Sequence, residues 1–334
     1  MDCTKRDGSS RCKGCTKAKH PADPSPPNQA GETLDSCDRA LAERCSLMSI
    51  EALAFVAAIM SGFLHAAWNA LAQRSNDAAA AMIAQICVAG FAGAIACVFI
   101  GWPNSGVWHW MALGSVANAM AMLLISAAYK RGDYAVTYGI SRATAPWVLM
   151  PLSLWVSDRS FGLLGVLGVA TISVGVLLAA MRGAKAKDDH AGAATARAAS
   201  AFAVASGLSV AFSIFSDARG AIDVGALEYG VAQTVVNAVV VSIIFQLQSR
   251  RSVIAIVRSN WRIGIGSAFI STLSYLLILW VFTKLPTVIG ASLRDSSMVF
   301  ALLIGTFFFR ERLTRWQWLG CATFIAGVLM LRVA

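Results

Sequence analysis

Charged residues are scarce in this sequence of 334 residues. Lys, Arg, Asp and Glu together make up 14% of the chain, whereas apolar residues make up 57% and the mean hydropathy is +0.62. Because an ordinary soluble domain is about one quarter charged, this composition excludes that class of protein. Long apolar runs with few charges are typical of helices that cross a bilayer. The sequence therefore predicts a membrane protein with many spans.

Clusters of catalytic or metal-binding residues are missing as well. The spacing of the four histidines fits neither a set of metal ligands nor a nucleophile with its base. These histidines are His20, His65, His109 and His190. Cys12, Cys15 and His20 make half of a zinc motif, but no second close cysteine pair completes it. No filter-like sequence or ring-forming charged motif indicates a channel. We therefore expect no enzyme, no metal and no cofactor, and we keep a membrane enzyme or a channel-like facilitator as the alternative.

The first 47 residues differ from the rest of the chain. They hold four of the eight prolines, five of the eight cysteines and no apolar run. Such a segment buries too little apolar surface to fold, so we predict a disordered tail over residues 1–47. Without an apolar core it is not a secretory signal. Since Met48-Ser-Ile-Glu-Ala-Leu would serve as a start for the first span, the tail is either a disordered extension or a segment outside the working protein.

Ten apolar runs follow the tail, each bounded by charge, proline, glycine or tryptophan. We call them spans one to ten, and they cover roughly residues 50–72, 79–101, 107–129, 134–156, 161–181, 198–216, 226–247, 261–283, 287–309 and 316–333. The expected fold is therefore an all-α polytopic membrane protein with ten transmembrane helices.

The net charge of +10 does not indicate nucleic acid as a partner. After Met48, most basic residues lie in short loops between spans. Loops after the odd-numbered spans hold 14 Lys and Arg, and loops on the other side hold 4. Because basic loops face the cytoplasm, this count places both ends of the ten-span unit outside the cytoplasm.

The two groups of five spans are related by a shift of 152 positions. The pairs that match are Arg142 with Arg294, Gly168 with Gly320, and Gly175 with Gly327. Because each half has an odd number of spans, the second half enters the membrane in the opposite direction. We therefore predict two inverted five-helix repeats, over residues 48–182 and 198–334, joined by a linker over residues 183–197. The glycines of spans five and ten are predicted to be close-packing surfaces.

Two arginines lie well inside predicted spans, where a charge is costly unless it faces protein or water. Arg142 is in span four and Arg294 is in span nine. The inverted repeat would bring both to one cavity between spans three, four, eight and nine. Guanidinium groups bind carboxylate or phosphate through paired hydrogen bonds, which predicts an anionic or zwitterionic substrate. The rival interpretation is that Arg142 extends to the membrane interface.

Other polar and aromatic residues are candidates for the same site. The predicted substrate-binding residues besides the two arginines are Tyr138, His65, Asn69, Trp68, Ser297 and Tyr275. His65 and Asn69 share one helical face, which also suits an interhelical hydrogen-bond stripe without a ligand. Pro146 predicts a helix kink, because it leaves the carbonyl of Arg142 without its helical partner.

Three titratable side chains are candidates for coupling transport to protons, and they are Asp217, Asp295 and His65. Asp217 ends a predicted span, so a solvated helix end is the rival interpretation. Asp295 could instead simply neutralise Arg294.

Four sequence blocks carry a family resemblance. They are His65-Ala-Ala-Trp68-Asn69, Tyr138-Gly-Ile-Ser-Arg142 with Pro146, Leu293-Arg294-Asp295-Ser296-Ser297, and Arg310-Glu311-Arg312-Leu313-Thr314 ahead of Gly320 and Gly327. Through them the chain from Met48 onward resembles EamA-type members of the drug/metabolite transporter superfamily. In that family an acidic residue precedes each glycine pair, and here Asp158 takes this place in the first half, one position out of register with Glu311.

The resemblance implies a ten-span secondary carrier that moves a small metabolite, often outward. It also implies cytoplasmic termini, which contradicts the charge count, so the orientation stays open. We therefore expect an exporter that works by alternating access in the plasma (inner) membrane of a bacterium. Its expected partners are a small-molecule metabolite, the lipid bilayer and a proton as coupling ion. A homodimer, the substrate and the direction of transport stay open.

Overall fold

The computed structural model describes residues 28–75, 77–156, 162–181, 193–249, 251–309 and 313–333. Within these residues the chain is almost entirely helical and contains no strand. The cysteines and histidine of the half zinc motif lie outside the described residues.

Eleven α-helices run through the described residues. They are α1 (Asn28–Gln73), α2 (Ala78–Ile100), α3 (Trp108–Tyr129), α4 (Tyr134–Val156), α5 (Leu163–Ala180), α6 (Ala193–Val224), α7 (Ala226–Gln248), α8 (Val253–Phe282), α9 (Thr287–Arg294), α10 (Ser297–Phe309) and α11 (Arg315–Val333). Helices α9 and α10 divide one predicted span, so eleven helices account for ten spans. In the described part of the chain, nine segments are long and apolar enough to cross a membrane, and α4 adds a tenth helix of 23 residues. The all-α polytopic membrane fold is confirmed.

The chain forms two units, residues 1–53 and residues 54–334. The described part of the first unit is the beginning of α1, whose backbone is helical from Asn28 onward. This start differs from the disordered tail expected over residues 1–47. After the last N-terminal proline, Pro27, the segment contains helix formers such as alanine, leucine and glutamate. The prediction of a disordered tail rests instead on the composition of residues 1–47 as a whole. Residues 1–27 lie outside the description, and the boundary at residue 48 stays a prediction.

The second unit contains a contact between α5 and α11 that relates the two halves of the protein. A Cβ added to Gly168 would lie 3.3 Å from the carbonyl oxygen of Gly327, and one added to Gly327 would lie 3.0 Å from the carbonyl oxygen of Gly168. Gly175 and Gly320 face each other in the same way, at 2.9 and 2.8 Å. The first glycine of each helix therefore faces the second glycine of the other, so the helices are antiparallel. This contact confirms the predicted close packing and the inversion of the second repeat.

The first helix of each half also packs in a reciprocal way. In α1, the hydroxyl of Ser61 donates to the carbonyl of Ser274 in α8 at 2.7 Å. In α6, the hydroxyl of Ser206 donates to the carbonyl of Ala121 in α3 at 3.1 Å. Each first helix is thus bonded to the third helix of the opposite half, and this exchange brings His65 of α1 into the second half of the protein.

A surface ion pair joins the start of α2 to the segment before α8. Asp77 accepts hydrogen bonds from Arg251 Nη1 at 2.6 Å and from the amide of Ala80 at 3.0 Å, and these contacts, the arginine first, lower the pKa of Asp77. Because both side chains are largely exposed, we expect Arg251→Ala to lower the free energy of unfolding by less than about 1 kcal/mol. A lowered folded-state pKa means that this contribution is present above the unfolded pKa of about 3.9 and is lost as the pH falls through the folded value.

Thermal unfolding of the Arg251→Ala variant at neutral and acidic pH would measure this contribution. Asp77→Ala is the control, because it also removes the helix cap. It should lower the free energy of unfolding by about 0.5–2 kcal/mol. An Arg251→Ala variant that loses as much as Asp77→Ala would contradict the small effect expected of the exposed pair.

Candidate functional site

Arg142 lies on the inner face of α4, where its guanidinium meets three side chains. Its Nε donates to the hydroxyl of Tyr138, one turn earlier, at 3.0 Å. Its Nη2 lies 3.1 Å from Nε2 of His65, and its Nη1 lies 3.7 Å from Oδ1 of Asp295. The side chain is 21% exposed, so Arg142 points into the protein rather than out to the membrane interface. The rival interpretation of this arginine is therefore wrong.

Arg294 is the last residue of α9, and it reaches the same histidine from the other side. Its Nη2 lies 3.2 Å from Nδ1 of His65. Its Nε is buried and makes no hydrogen bond with the described residues. Asp295 follows Arg294 in the chain, yet its carboxylate forms an ion pair with Arg142. The structure thus brings both arginines to one imidazole. Of these two arginines, only Arg142 has a carboxylate within ion-pair distance among the described residues.

His65 cannot accept a hydrogen bond from both arginines. A neutral imidazole has one acceptor nitrogen and one N–H, and a guanidinium can only donate. The indole nitrogen of Trp68 also points at Nδ1 of His65, at 3.4 Å, with the two rings edge to face. Three N–H groups therefore compete for one lone pair. The site has more donors than acceptors, and a bound anion would supply the acceptors that it lacks.

Span nine is broken at the site, whereas the sequence predicts one helix over residues 287–309. The structure ends α9 at Arg294, forms a turn at Asp295 and Ser296, and begins α10 at Ser297. Aspartate and serine side chains compete with the helical backbone for hydrogen bonds, and three of them in succession favour a turn. Irregular backbone at membrane depth is tolerated where it is buried in protein or lines a cavity.

A narrow cavity lies beside the two arginines. It is lined by Arg142, Ala145, Pro146, Leu149, Val210, Ile214, Phe282, Ala291, Arg294 and Asp295. Its volume of about 20 Å³ is room for roughly one water molecule, far below the about 300–1,000 Å³ of a ligand pocket. In this conformation the space beside the arginines is too small for a metabolite.

The walls of this cavity differ from the four spans that the sequence predicts. Spans four, eight and nine supply lining residues as expected, but span three supplies none of them. Span six takes its place through Val210 and Ile214. Apolar residues in an apolar helix give no sequence signal for a cavity wall, so these two side chains could not be singled out.

The remaining candidates lie at different distances from the arginines. Trp68 joins the cluster through His65. The amide of Asn69 donates to the backbone carbonyl of His65 at 2.7 Å, which fixes it against its own helix. Ser297 begins α10 and is buried, and its backbone nitrogen lies close to Gly62 of α1. Pro146 lines the cavity, and α4 continues through it without ending. The substrate-binding roles of all these residues stay predictions.

A second polar cluster surrounds Asp217. The structure buries this residue, 9% exposed, within α6, which continues to Val224, so the interpretation as a solvated helix end is wrong. The hydroxyl of Tyr229 in α7 donates to Oδ1 of Asp217 at 3.2 Å. The hydroxyl of Tyr275 in α8 is buried without a hydrogen bond of ordinary geometry to the described residues, and it interacts electrostatically with Asp217 and with Arg294. Tyr229 was missed because sequence spacing alone does not pair helices.

Comparison with known protein families places these features in context. Residues 197–333 match the model of the family described as the EamA-like transporter family. The second half of the chain thus matches this family. This family is part of the drug/metabolite transporter superfamily, so the resemblance found in the sequence is confirmed over residues 197–333. The EamA family is a family of transporters rather than enzymes.

A solved structure shows the same fold over more of the chain. A structure titled "Crystal structure of protein" matches with a TM-score of 0.63 and 14% sequence identity, over 84% of this chain and 96% of that chain. At such low identity the likeness shows the fold alone. No curated protein matches the chain.

Two of the predicted EamA features fall outside the described residues. The acidic residues Asp158 and Glu311 lie in the undescribed segments 157–161 and 310–312, and most of the linker lies in residues 182–192. Helix α6 starts at Ala193, and the boundary of the second repeat at residue 198 stays a prediction.

Proposed function

We propose that this EamA-type protein is a secondary active transporter that exports a small anionic or zwitterionic metabolite by alternating access. The surplus of hydrogen-bond donors around His65 carries this proposal. Two guanidinium groups and an indole N–H share a single imidazole acceptor. A carboxylate or phosphate offers several acceptor lone pairs and a compensating charge, and it binds arginine strongly in a dry site.

The two arginines have different roles in this proposal. Arg142 is already held by Tyr138 and Asp295, whereas the Nε of Arg294 is buried without a hydrogen-bond partner in the described part of the chain. An unsatisfied buried donor of a charged group costs free energy that a ligand can recover. Arg294 is therefore the primary contact for the anion, and Arg142 is the second contact.

The broken span and the inverted halves suit alternating access. In transporters built from inverted repeats, the substrate site lies near the midplane beside discontinuous helices, and one half moves against the other. Here the break after Arg294 lies beside the cavity, and the cavity is closed in this conformation. Movement of α9 and α10 relative to α4 and α6 would widen it. We place the transporter in the plasma membrane of a bacterium, with a proton as coupling ion, and a homodimer stays open.

Arg294→Ala is expected to slow anion exchange by about 10- to 150-fold, since a hydrogen bond to a charged group contributes about 1.5–3 kcal/mol. Purified protein in liposomes would be assayed for exchange of labelled succinate, glutamate and inorganic phosphate. The matched control is Arg258→Ala, which removes an exposed arginine of α8 and should leave exchange unchanged.

The same assay can refute the arginine site. If Arg142→Ala and Arg294→Ala both keep full exchange of every anion that the unaltered protein moves, the proposal is wrong. If none of the three anions moves, the metabolites released by cells that overproduce the protein, compared with cells that lack it, would identify the compound to assay.

A further inference from the structure

We propose that Asp217 binds the coupling proton, and that this proton site is coupled to the anion on Arg294, so that proton and anion move in the same direction. This inference rests on the proposed transport function and assigns its coupling to one residue.

Within the described part of the chain, the carboxylate of Asp217 has no cationic partner at ion-pair distance. The ion pairs in the described ranges join Arg142 with Asp295, Arg219 with Asp223, and Arg251 with Asp77. Asp217 is nevertheless buried, with the hydroxyl of Tyr229 as its hydrogen-bond donor. A buried charge without a paired cation is costly, and a proton from the aqueous phase removes that charge.

The two other candidates for proton binding are less suitable. Asp295 lies beside Arg142, which stabilises its ionised form. His65 lies between two guanidinium groups, which oppose a positive charge on the imidazole. Asp217 therefore remains as the group that gains most from binding a proton and can release it again.

The amide side chain of Gln233 borders the carboxyl group of Asp217. A Cβ added to Gly114 of α3 would lie 2.9 Å from Oδ1 of Asp217 and 3.1 Å from Nε2 of Gln233, so the carboxylate and this amide border one small space. Gln233 is 4% exposed, and its Oε1 makes no hydrogen bond within the described residues. A protonated Asp217 would gain an O–H donor, and a rotation of the Gln233 amide would offer it the unused acceptor Oε1.

Charged and titratable groups reach Asp217 from several packed helices. Helix α7 presents Tyr229, α8 presents Tyr275, and α9 presents Arg294, which interacts electrostatically with the carboxylate. Helix α3 contributes Gly114 and Ser115 at this level, and Ser115 accepts a hydrogen bond from Gln233. The arginine of α4 is held by Asp295, and Arg219 of α6 is paired with Asp223. Of these three arginines, Arg294 alone is in no ion pair within the described residues, so it is the cation that Asp217 and an anion would share.

Sharing Arg294 fixes the sign of the coupling. An ionised Asp217 partly compensates the positive charge of Arg294 and repels an incoming anion. A protonated Asp217 does neither. The anion therefore binds better when Asp217 is protonated, and by reciprocity the bound anion favours protonation. An exporter of this kind releases a proton with each anion and is driven by the outward gradient of the anion.

A transport experiment tests the coupling. Liposomes containing the protein are loaded with succinate, glutamate or inorganic phosphate, and net efflux is measured together with the internal pH. We expect protons to leave with the anion. In Asp217→Asn, we expect the number of protons released per anion to fall to zero. Asp223→Asn is the matched control on the same helix, exposed, and should keep the ratio. Efflux without protons in the unaltered protein, or an unchanged ratio in Asp217→Asn, would overturn the proposal.

Infrared spectroscopy tests the proton site without a substrate. In purified protein, the carbonyl stretch of a protonated carboxylic acid should decrease as the pH is raised, and this signal should be lost in Asp217→Asn but kept in Asp295→Asn. A signal that survives in Asp217→Asn refutes the proton site. If the signal behaves as expected but no arginine variant impairs exchange, then the anion site is wrong and the proton site stands.

Discussion

Replacing Arg142 with alanine is expected to lower the free energy of unfolding by about 3–5 kcal/mol, the usual cost of removing one partner from a buried ion pair. The change leaves the carboxylate of Asp295, whose side chain is 10% exposed, without its ion-pair partner. It also removes the donor to Tyr138 and one of the two cations beside His65. Unfolding of the purified protein in detergent micelles, induced by heat or by denaturant, would measure the loss.

A double-mutant cycle isolates the cost of the stranded charge. Adding Asp295→Asn to Arg142→Ala should recover part of the lost stability, because the uncompensated carboxylate is gone. The matched control is the exposed pair Arg219–Asp223 on α6, with an N–O distance of 3.4 Å, where Arg219→Ala should cost less than about 1 kcal/mol. Equal losses in Arg142→Ala and Arg219→Ala would show that burial of the site contributes little to the effect.

The close approach of the two arginines could be inferred from the sequence, because they occupy equivalent positions in an inverted repeat. A duplicated block with an odd number of spans must be inverted, and inversion places equivalent residues on opposite sides of one axis. The shift of 152 positions therefore paired Arg142 with Arg294 before any contact was known. The glycine pairs followed the same logic, since seven-residue spacing puts both glycines on one helix face.

Features that depend on packing between unrelated helices could not be inferred. The burial of Asp217 depends on α7 and α8 covering it, and its position near the end of an apolar run suggested solvent instead. The break after Arg294 has a local signal, Asp295-Ser296-Ser297, but the apolar residues on both sides favoured one continuous helix. Val210 and Ile214 became cavity residues only because α6 packs beside α4.

The two halves are symmetric in their backbone contacts and asymmetric in their chemistry. If Ser61-Gly62 of α1 is aligned with Ser206-Gly207 of α6, His65 corresponds to Val210. One half therefore presents an imidazole to the arginines, and the other presents an apolar side chain to the cavity. Helix α4 is continuous through Pro146, whereas the equivalent span nine is broken. The repeat thus determines the arrangement of the helices. Differences at single residues make the site polar on one side.

Replacing Gly175 with leucine is expected to prevent the two halves from docking. A Cβ at this position would lie 2.6 Å from the backbone nitrogen of Phe324 and 2.9 Å from the carbonyl oxygen of Gly320. Backbone atoms in the middle of α11 cannot move aside as the end of a side chain can, so α5 and α11 must separate. Overpacking usually costs about 1–3 kcal/mol, and we expect at least the upper end of this range because the clash is with backbone. The yield and the unfolding midpoint of purified protein in detergent micelles would show the loss.

A glycine outside this contact provides the control. At Gly266 of α8, an added Cβ would meet Leu71 Cδ2 at 3.4 Å, which is ordinary van der Waals contact with the end of a flexible side chain. Gly266→Leu should therefore cost much less than Gly175→Leu. Because the contact is reciprocal, Gly320→Leu should match Gly175→Leu, since a Cβ there would lie 2.7 Å from the Cα of Ala179. If Gly320→Leu were tolerated while Gly175→Leu was not, the two sides of the contact would not be equivalent, and the close approach of the two backbones would not be what holds the halves together.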